Sequence, residues 1–258
     1  MIEKIFKIKN NVRKSFKQHF LKGVILAITF EQDIKEFFTN NNFAEFFNKN
    51  GFSCLTEIKN ANFKITIDED IPIAEQTNAV IGYTYTNPQN NNQIQIINNR
   101  FIFVHNTYSN YENLNKEVEA FNEKIFKNIN FNIQQVGFRK INAIVVREVV
   151  NYNDITDLFN NNLFNFMKCD LFDINDLENY RDNFILSKHN SKIIVNTSCA
   201  KIKNIESSYE VVIDTDIIQD NVDNTNVIDI TREMNQLHFD TFCWFTSDKM
   251  KNIMNEVV

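Results

Sequence analysis

The chain has 258 residues, 43% of them hydrophobic and 23% charged, and a formal net charge of −6. That length and balance suit one large domain or two modest ones and exclude wholesale disorder. Four widely spaced cysteines (Cys54, Cys169, Cys199 and Cys243) include no C-x-x-C pair, which rules out the usual zinc spacings and a disulfide framework and fits a reducing compartment.

Residues 1–23 carry seven Lys or Arg against Glu3, a local charge of +6, while the rest of the chain carries −12. In this basic arm Ile5, Ile8, Val12, Phe16 and Phe20 recur every three or four residues. The spacing predicts an amphipathic helix over 1–22 that docks on the acidic body, leaving its outward lysines for nucleic-acid phosphate or an acidic surface. Residues 24–30 form an apolar run of strand length, expected to be covered on both sides, and no run is long enough to span a bilayer. The basic segment has no signal-peptide core, so the expected location is the cytoplasm.

Asp33 offers an N-cap to a Phe-rich helical stretch that closes at Asn50-Gly51. Strands are expected around 61–67, 83–85 and 94–104, with a turn at Asn87-Pro88. Tyr111, Leu114, Val118, Phe121 and Ile125 mark the cleanest amphipathic helix, and a long strand or bent pair follows over 131–150. Two short helical segments then begin near Asp154 and Asp173, each with Asp as N-cap. A hairpin over 192–199 and 209–218 and a helix from about Asp229 close the chain. The expected fold is α+β. A mostly antiparallel sheet in the order β-α-β-β-β-α-β occupies a core domain over 23–150, and a smaller C-terminal β-hairpin plus helix subdomain over 151–258 packs on it. No internal repeat is evident. Asn fills 43 positions, in keeping with AT-rich coding, so the tracts at 40–42, 90–92 and 160–162 read as turns that tolerate positive φ.

Asn99-Arg-Phe-Ile-Phe103, the helix after Tyr111, and Val136-Gly-Phe-Arg-Lys-Ile-Asn-Ala-Ile144 resemble a sporadically distributed, uncharacterised prokaryotic family of about this length. Its members show a D/N-R-F strand, a helix, and a G-x-R-x-x-N strand. An apolar strand ending in D-x-D follows, then a C-terminal helix with His and an aromatic. Val211-Val-Ile-Asp-Thr-Asp216 and His238, Phe242, Asp248 and Met254 stand at the corresponding places, with Thr246-Ser-Asp248 replacing a direct T-D step. The resemblance implies architecture more than activity. Its patchy distribution is that of genes in mobile or defence islands.

Among polar residues, Arg100, Arg139, Asn142 and His238 are candidate ligand-binding groups. Guanidinium forks suit an anion or nucleotide phosphate, and equally a structural role on strand-end carbonyls or a carboxylate. Arg139 and Asn142 lie on opposite strand faces unless a bulge intervenes at Gly137. Arg139 is expected to matter for folding or binding, and its neighbour Lys140 is not. Asp214 and Asp216, at i and i+2, are the candidate metal pair, or else a solvated strand face. His238 is read first as a packing residue. No Walker loop, G-x-S-x-G, G-x-G-x-x-G or H-E-x-x-H is present, and four glycines cannot build a phosphate cradle, so no cofactor and no catalytic residue are assigned.

The expected function is a non-enzymatic binding or regulatory protein, an antitoxin, immunity or defence component that recognises another macromolecule, protein first and nucleic acid second. An enzyme acting on nucleic acid or nucleotides through the Asp and Arg groups is the alternative, and a non-catalytic nucleic-acid-binding protein the third reading. The oligomeric state is left open.

Overall fold

The apolar run at 24–30 becomes the middle of a sheet. A computed structural model describes residue 16 and residues 19–40, 43–68, 71–129, 131–160, 163–164, 167, 172–223 and 226–255. Among the described residues, nine strands form one antiparallel sheet. They are β1 (Leu21–Phe30), β2 (Cys54–Asp68), β3 (Ile71–Thr86), β4 (Gln93–Ile97), β5 (Arg100–His105), β6 (Ile133–Val146), β7 (Asn179–Lys188), β8 (Ser191–Lys201) and β9 (Tyr209–Val222). Their spatial order is β2-β3-β4-β5-β1-β6-β9-β8-β7. Six α-helices accompany them: α1 (Lys35–Asn40), α2 (Ala44–Lys49), α3 (Tyr111–Lys124), α4 (Asn153–Thr156), α5 (Val227–Phe245) and α6 (Asp248–Asn255). None is long and apolar enough to cross a membrane.

The order hides a repeat that the residues do not display. β1 and β6 pair antiparallel at the centre. After each, the chain passes through short helices to an outer edge, then meanders inward until its last strand, β5 or β9, lies against the strand it started from. A long helix follows each meander, α3 after β5 and α5 after β9. Residues beyond 151 therefore extend the same sheet.

Two differences from the expected order have local causes. Residues 94–104 fold into two strands, because Asn98 takes a φ of +49° and turns the chain back at Asn98-Asn99. β7 occupies 179–188, where no strand was expected. It is an edge strand with largely exposed side chains, and its polarity hides it from a hydrophobic scan. Where helices were expected from Asp154 and Asp173 there is the four-residue α4 and a single 3₁₀ turn over Ile174–Asp176. Asp173 caps that turn by accepting from the Asn175 amide at 2.8 Å. Of the Asn tracts read as turns, 90–92 has Asn91 at a φ of +56°, while 41–42 and 161–162 lie outside the described residues; Asn98 and Asn204 adopt positive φ in turns elsewhere.

Most of the basic arm lies outside the described residues, including Ile5, Ile8 and Val12. Phe16 and Phe20 pack against the core, and Phe16 meets the rings of Phe239 and Phe242. Leu21 and Lys22 already belong to β1 and not to a helix, since the apolar strand extends back across a bulge at Lys22.

The inward face of the central strands is nearly all apolar: Val24, Leu26, Ile28, Phe101, Phe103, Val136, Phe138, Val211, Ile213 and Ile217 are buried. Phe121 of α3 drops into this face and lies within 6.4 Å, ring to ring, of Phe46, Phe47, Phe52, Phe101 and Phe103. Asn110 caps α3 by accepting from the Asn113 amide at 2.9 Å. Phe121→Ala should cost about 3–5 kcal/mol of stability, the usual loss for an emptied aromatic core site. Urea denaturation should show a lower midpoint with an unchanged slope.

Candidate functional site

From Val136 to Ile144 β6 alternates, so neighbours in that stretch belong to opposite faces of the sheet. The register opposite Ala27 runs unbroken through Gly137, and no bulge rotates the strand there. Arg139 therefore projects on the face that carries no helix among the described residues, here the helix-free face, and Asn142 on the helix face. The four ligand-binding candidates do not form one site.

On the helix-free face the Arg139 guanidinium grips Asp214 with two bonds, Nε to Oδ1 at 2.8 Å and Nη2 to Oδ2 at 2.6 Å. The fork raises the guanidinium pKa further, through the Asp214 hydrogen bond first. Asp216 lies directly across from Arg139 in the ladder. Burial pushes the Asp216 carboxyl up to about 6, Arg139 pulls the other way, and Asp214 adds repulsion. The candidate metal pair is thus built into an ion-paired cluster, with both oxygens of Asp214 engaged by Arg139. Among the described residues no group of three or more His, Cys, Asp or Glu gathers to hold a metal ion. A polar cleft of ≈ 560 Å³ opens beside Asp214, lined also by Arg181, Asn183, Asn196 and Ser198. Arg100 stands apart, exposed at the β4–β5 turn opposite Thr29. Two strands and four residues separate it from Arg139, on the order of 16 Å at standard sheet spacings.

The helix face brings Asn142 and His238 together. Between α5, the start of α3, the segment entering β1 and the sheet lies a cavity of ≈ 370 Å³. Its floor is Lys140 and Asn142 of β6 with Ile213 and Thr215 of β9, its roof Asn235, His238, Phe239 and Phe242 of α5. Phe16, Phe20 and Tyr108 form the sides, and the exposed His19 and Glu112 stand at the rim. Lys140 donates to Asn235 Oδ1 at 2.6 Å and sits over two rings, 5.6 Å from the centroid of Tyr108 and 5.3 Å from that of Phe138. His238 Nε2 donates to the Phe138 carbonyl at 2.7 Å, and its ring meets the Phe138 ring edge-on. Burial first, then the nearby Lys140 charge, drive the His238 pKa well below its ordinary value. Both effects favour the neutral imidazole, and the bond to the carbonyl places a proton on Nε2.

Lys140, which the sequence analysis sets aside, is the residue that shares the cavity with Asn142. The signal was present in the period of two. Val136, Phe138, Lys140, Asn142 and Ile144 occupy one face, so two polar side chains interrupt an apolar row. Thr215 interrupts the row Val211, Ile213, Ile217 in the same way. On α5 the buried stripe includes Thr231, Asn235, His238 and Thr241 beside Ile230, Met234 and Phe245.

The charge cluster carries a pH signature. Asp216 holds its proton more tightly in the folded chain than in the unfolded one. Folding therefore loses stability as pH rises from about 4 to about 6, and the penalty is complete above that. Asp216→Asn should raise stability at pH 7.5 by roughly 1–3 kcal/mol, and the advantage should vanish below about pH 4. Thermal melts of both proteins across pH 3.5–7.5, an interval of about four units bracketing both protonation states, check this.

The chain matches no known family model, and no curated protein is similar to it.

Proposed function

We propose that this chain is a non-enzymatic binding and regulatory protein whose ligand occupies the cavity beneath α5. The observation that carries the reading is the lining. Aromatic side chains enclose the space, and a small set of polar groups, Lys140, Asn142, Thr215, Asn235 and His238, converges on it. Concave, mostly apolar sites with a few fixed polar groups are the general form of small-molecule sites. The cavity's ≈ 370 Å³ falls at the lower end of the usual range and restricts the ligand to a small molecule.

The arrangement favours holding over chemistry. His238 is buried and neutral, and donates to a backbone carbonyl. The lining's serine, Ser109, accepts from the Asn113 side-chain amide at 2.8 Å. A ligand there touches β6, β9, α5 and the segment entering β1 together. Binding can therefore change how tightly that segment is held, which supports a regulatory role.

A thermal-shift screen of a metabolite library tests the reading. A true ligand at a hundred times its Kd adds about 2.7 kcal/mol, or roughly 5–10 °C in a chain of this size. Thr215→Leu, which fills the floor, should abolish that shift while leaving the unliganded Tm within a few degrees. Failure of every library member to shift the parent, or an undiminished shift in Thr215→Leu, overturns the reading.

A further inference from the structure

Resting on that reading, we infer that the ligand is a neutral nitrogen heterocycle of the purine type. Its donor-and-acceptor edge lies on Asn142, Thr215 and His238, and its ring among Phe16, Phe239 and Phe242. Two features of the cavity carry this.

The first is a set of buried polar groups that the chain leaves unmatched. Asn142, Thr215, Asn235 and His238 are each more than nine-tenths buried, and all four line the cavity. The Asn142 carboxamide and the Thr215 hydroxyl have no hydrogen-bond partner among the described residues. Asn235 Oδ1 accepts from Lys140, while the Nδ2 hydrogens of Asn235 have no partner among those residues. His238 donates from Nε2 to the Phe138 carbonyl, which leaves Nδ1 of the neutral ring as an acceptor with no such partner. Buried polar groups without partners are destabilising, and a ligand that supplies the partners relieves that cost.

The mixture of groups selects the ligand. Asn142 offers a donor beside an acceptor, Asn235 offers donors, and His238 offers an acceptor. A neutral molecule with both kinds of atom on one edge matches this set. The amino group and ring nitrogen of adenine pair in this way with an asparagine carboxamide. A carboxylate or phosphate only accepts, and would set its own lone pairs against Nδ1 and the carboxamide oxygen. The second feature is the wall. Phe16 meets Phe239 and Phe242 at centroid separations of 6.0 and 6.4 Å, and all three line the cavity. Flat heteroaromatic rings stack on such side chains.

Adenine, purine and indole share a fused-ring outline and differ along the edge, so they serve as probes. Purine lacks the amino donor, and indole lacks any acceptor nitrogen. Titrations of the full chain followed by NMR should give adenine a Kd about tenfold or more below those of the other two, the difference expected when buried polar groups are left unpaired. His238→Gln keeps an amide donor for the Phe138 carbonyl and removes Nδ1. It should weaken adenine about threefold or more and leave indole within about twofold. Asn142→Leu should erase the preference for adenine over indole. If either variant does not fold, the adenine–indole ratio on the parent decides. Equal binding of adenine and indole overturns the heterocycle assignment while the cavity reading survives. An undiminished adenine preference in both folded variants overturns it too. Binding of no probe at millimolar concentration overturns it as well, and the metabolite screen then judges the cavity separately.

Discussion

Everything in this molecule depends on the antiparallel pairing of β1 with β6. Each strand opens one half of the chain, and each half returns its last strand to the outer side of its first. Among the described residues the β1–β6 ladder is the only strand pairing between the two halves, and it makes one continuous sheet of them. Both strands are therefore flanked on each side, β1 by β5 and β6, β6 by β1 and β9. This is why residues 24–30 can be nearly unbroken in apolar character: the strand is interior to the sheet, and its inward face lies under helices.

The two halves seat their long helices differently. α3 meets the sheet through phenyl rings. Phe121 fills the space among Phe101, Phe103, Phe47 and Phe52. α5 occupies the equivalent place in the other half but meets the sheet partly through polar groups, Lys140 to Asn235 and His238 to the Phe138 carbonyl. Ring packing is non-directional and fills volume, whereas these bonds fix a helix at a set height and rotation. The cavity lies in the half built by the second method. Two topologically equivalent positions thus separate a packed core from a site.

Much of this was legible in residue order, and the losses are physical. α3 was readable from Tyr111 to Phe121 because the helix is amphipathic, with one face buried and the other in water. Of the final helix, His238 is among the candidate ligand-binding groups and does line the cavity. Asn235 is not among those candidates, since a hydrophobicity scan counts a buried polar residue as an exposed one. β7 escaped because an edge strand is selected for polarity. Arg139 and Asn142 were grouped by a motif, although the strand period already placed them on opposite faces. The repeat is topological. With Phe121 in one half and His238 in the other performing the same seating role, no residue correspondence survives to reveal it.

The alternation of β6 from Val136 to Ile144 also explains why the molecule can carry two unlike polar centres side by side. Arg139 and Lys140 are adjacent in sequence, yet one is locked to Asp214 on the helix-free face and the other faces Asn235 beneath α5. Had both cations pointed the same way, each would have raised the cost of desolvating the other. Asp214 and Thr215 on β9 follow the same rule: the carboxylate lies with Arg139 and the neutral hydroxyl with Lys140. The sheet thereby separates a salt-bridged face from a cavity floored by a lysine, an amide and a hydroxyl. The helix face alone of the two encloses its polar groups among aromatic side chains, and this is why recognition is placed there.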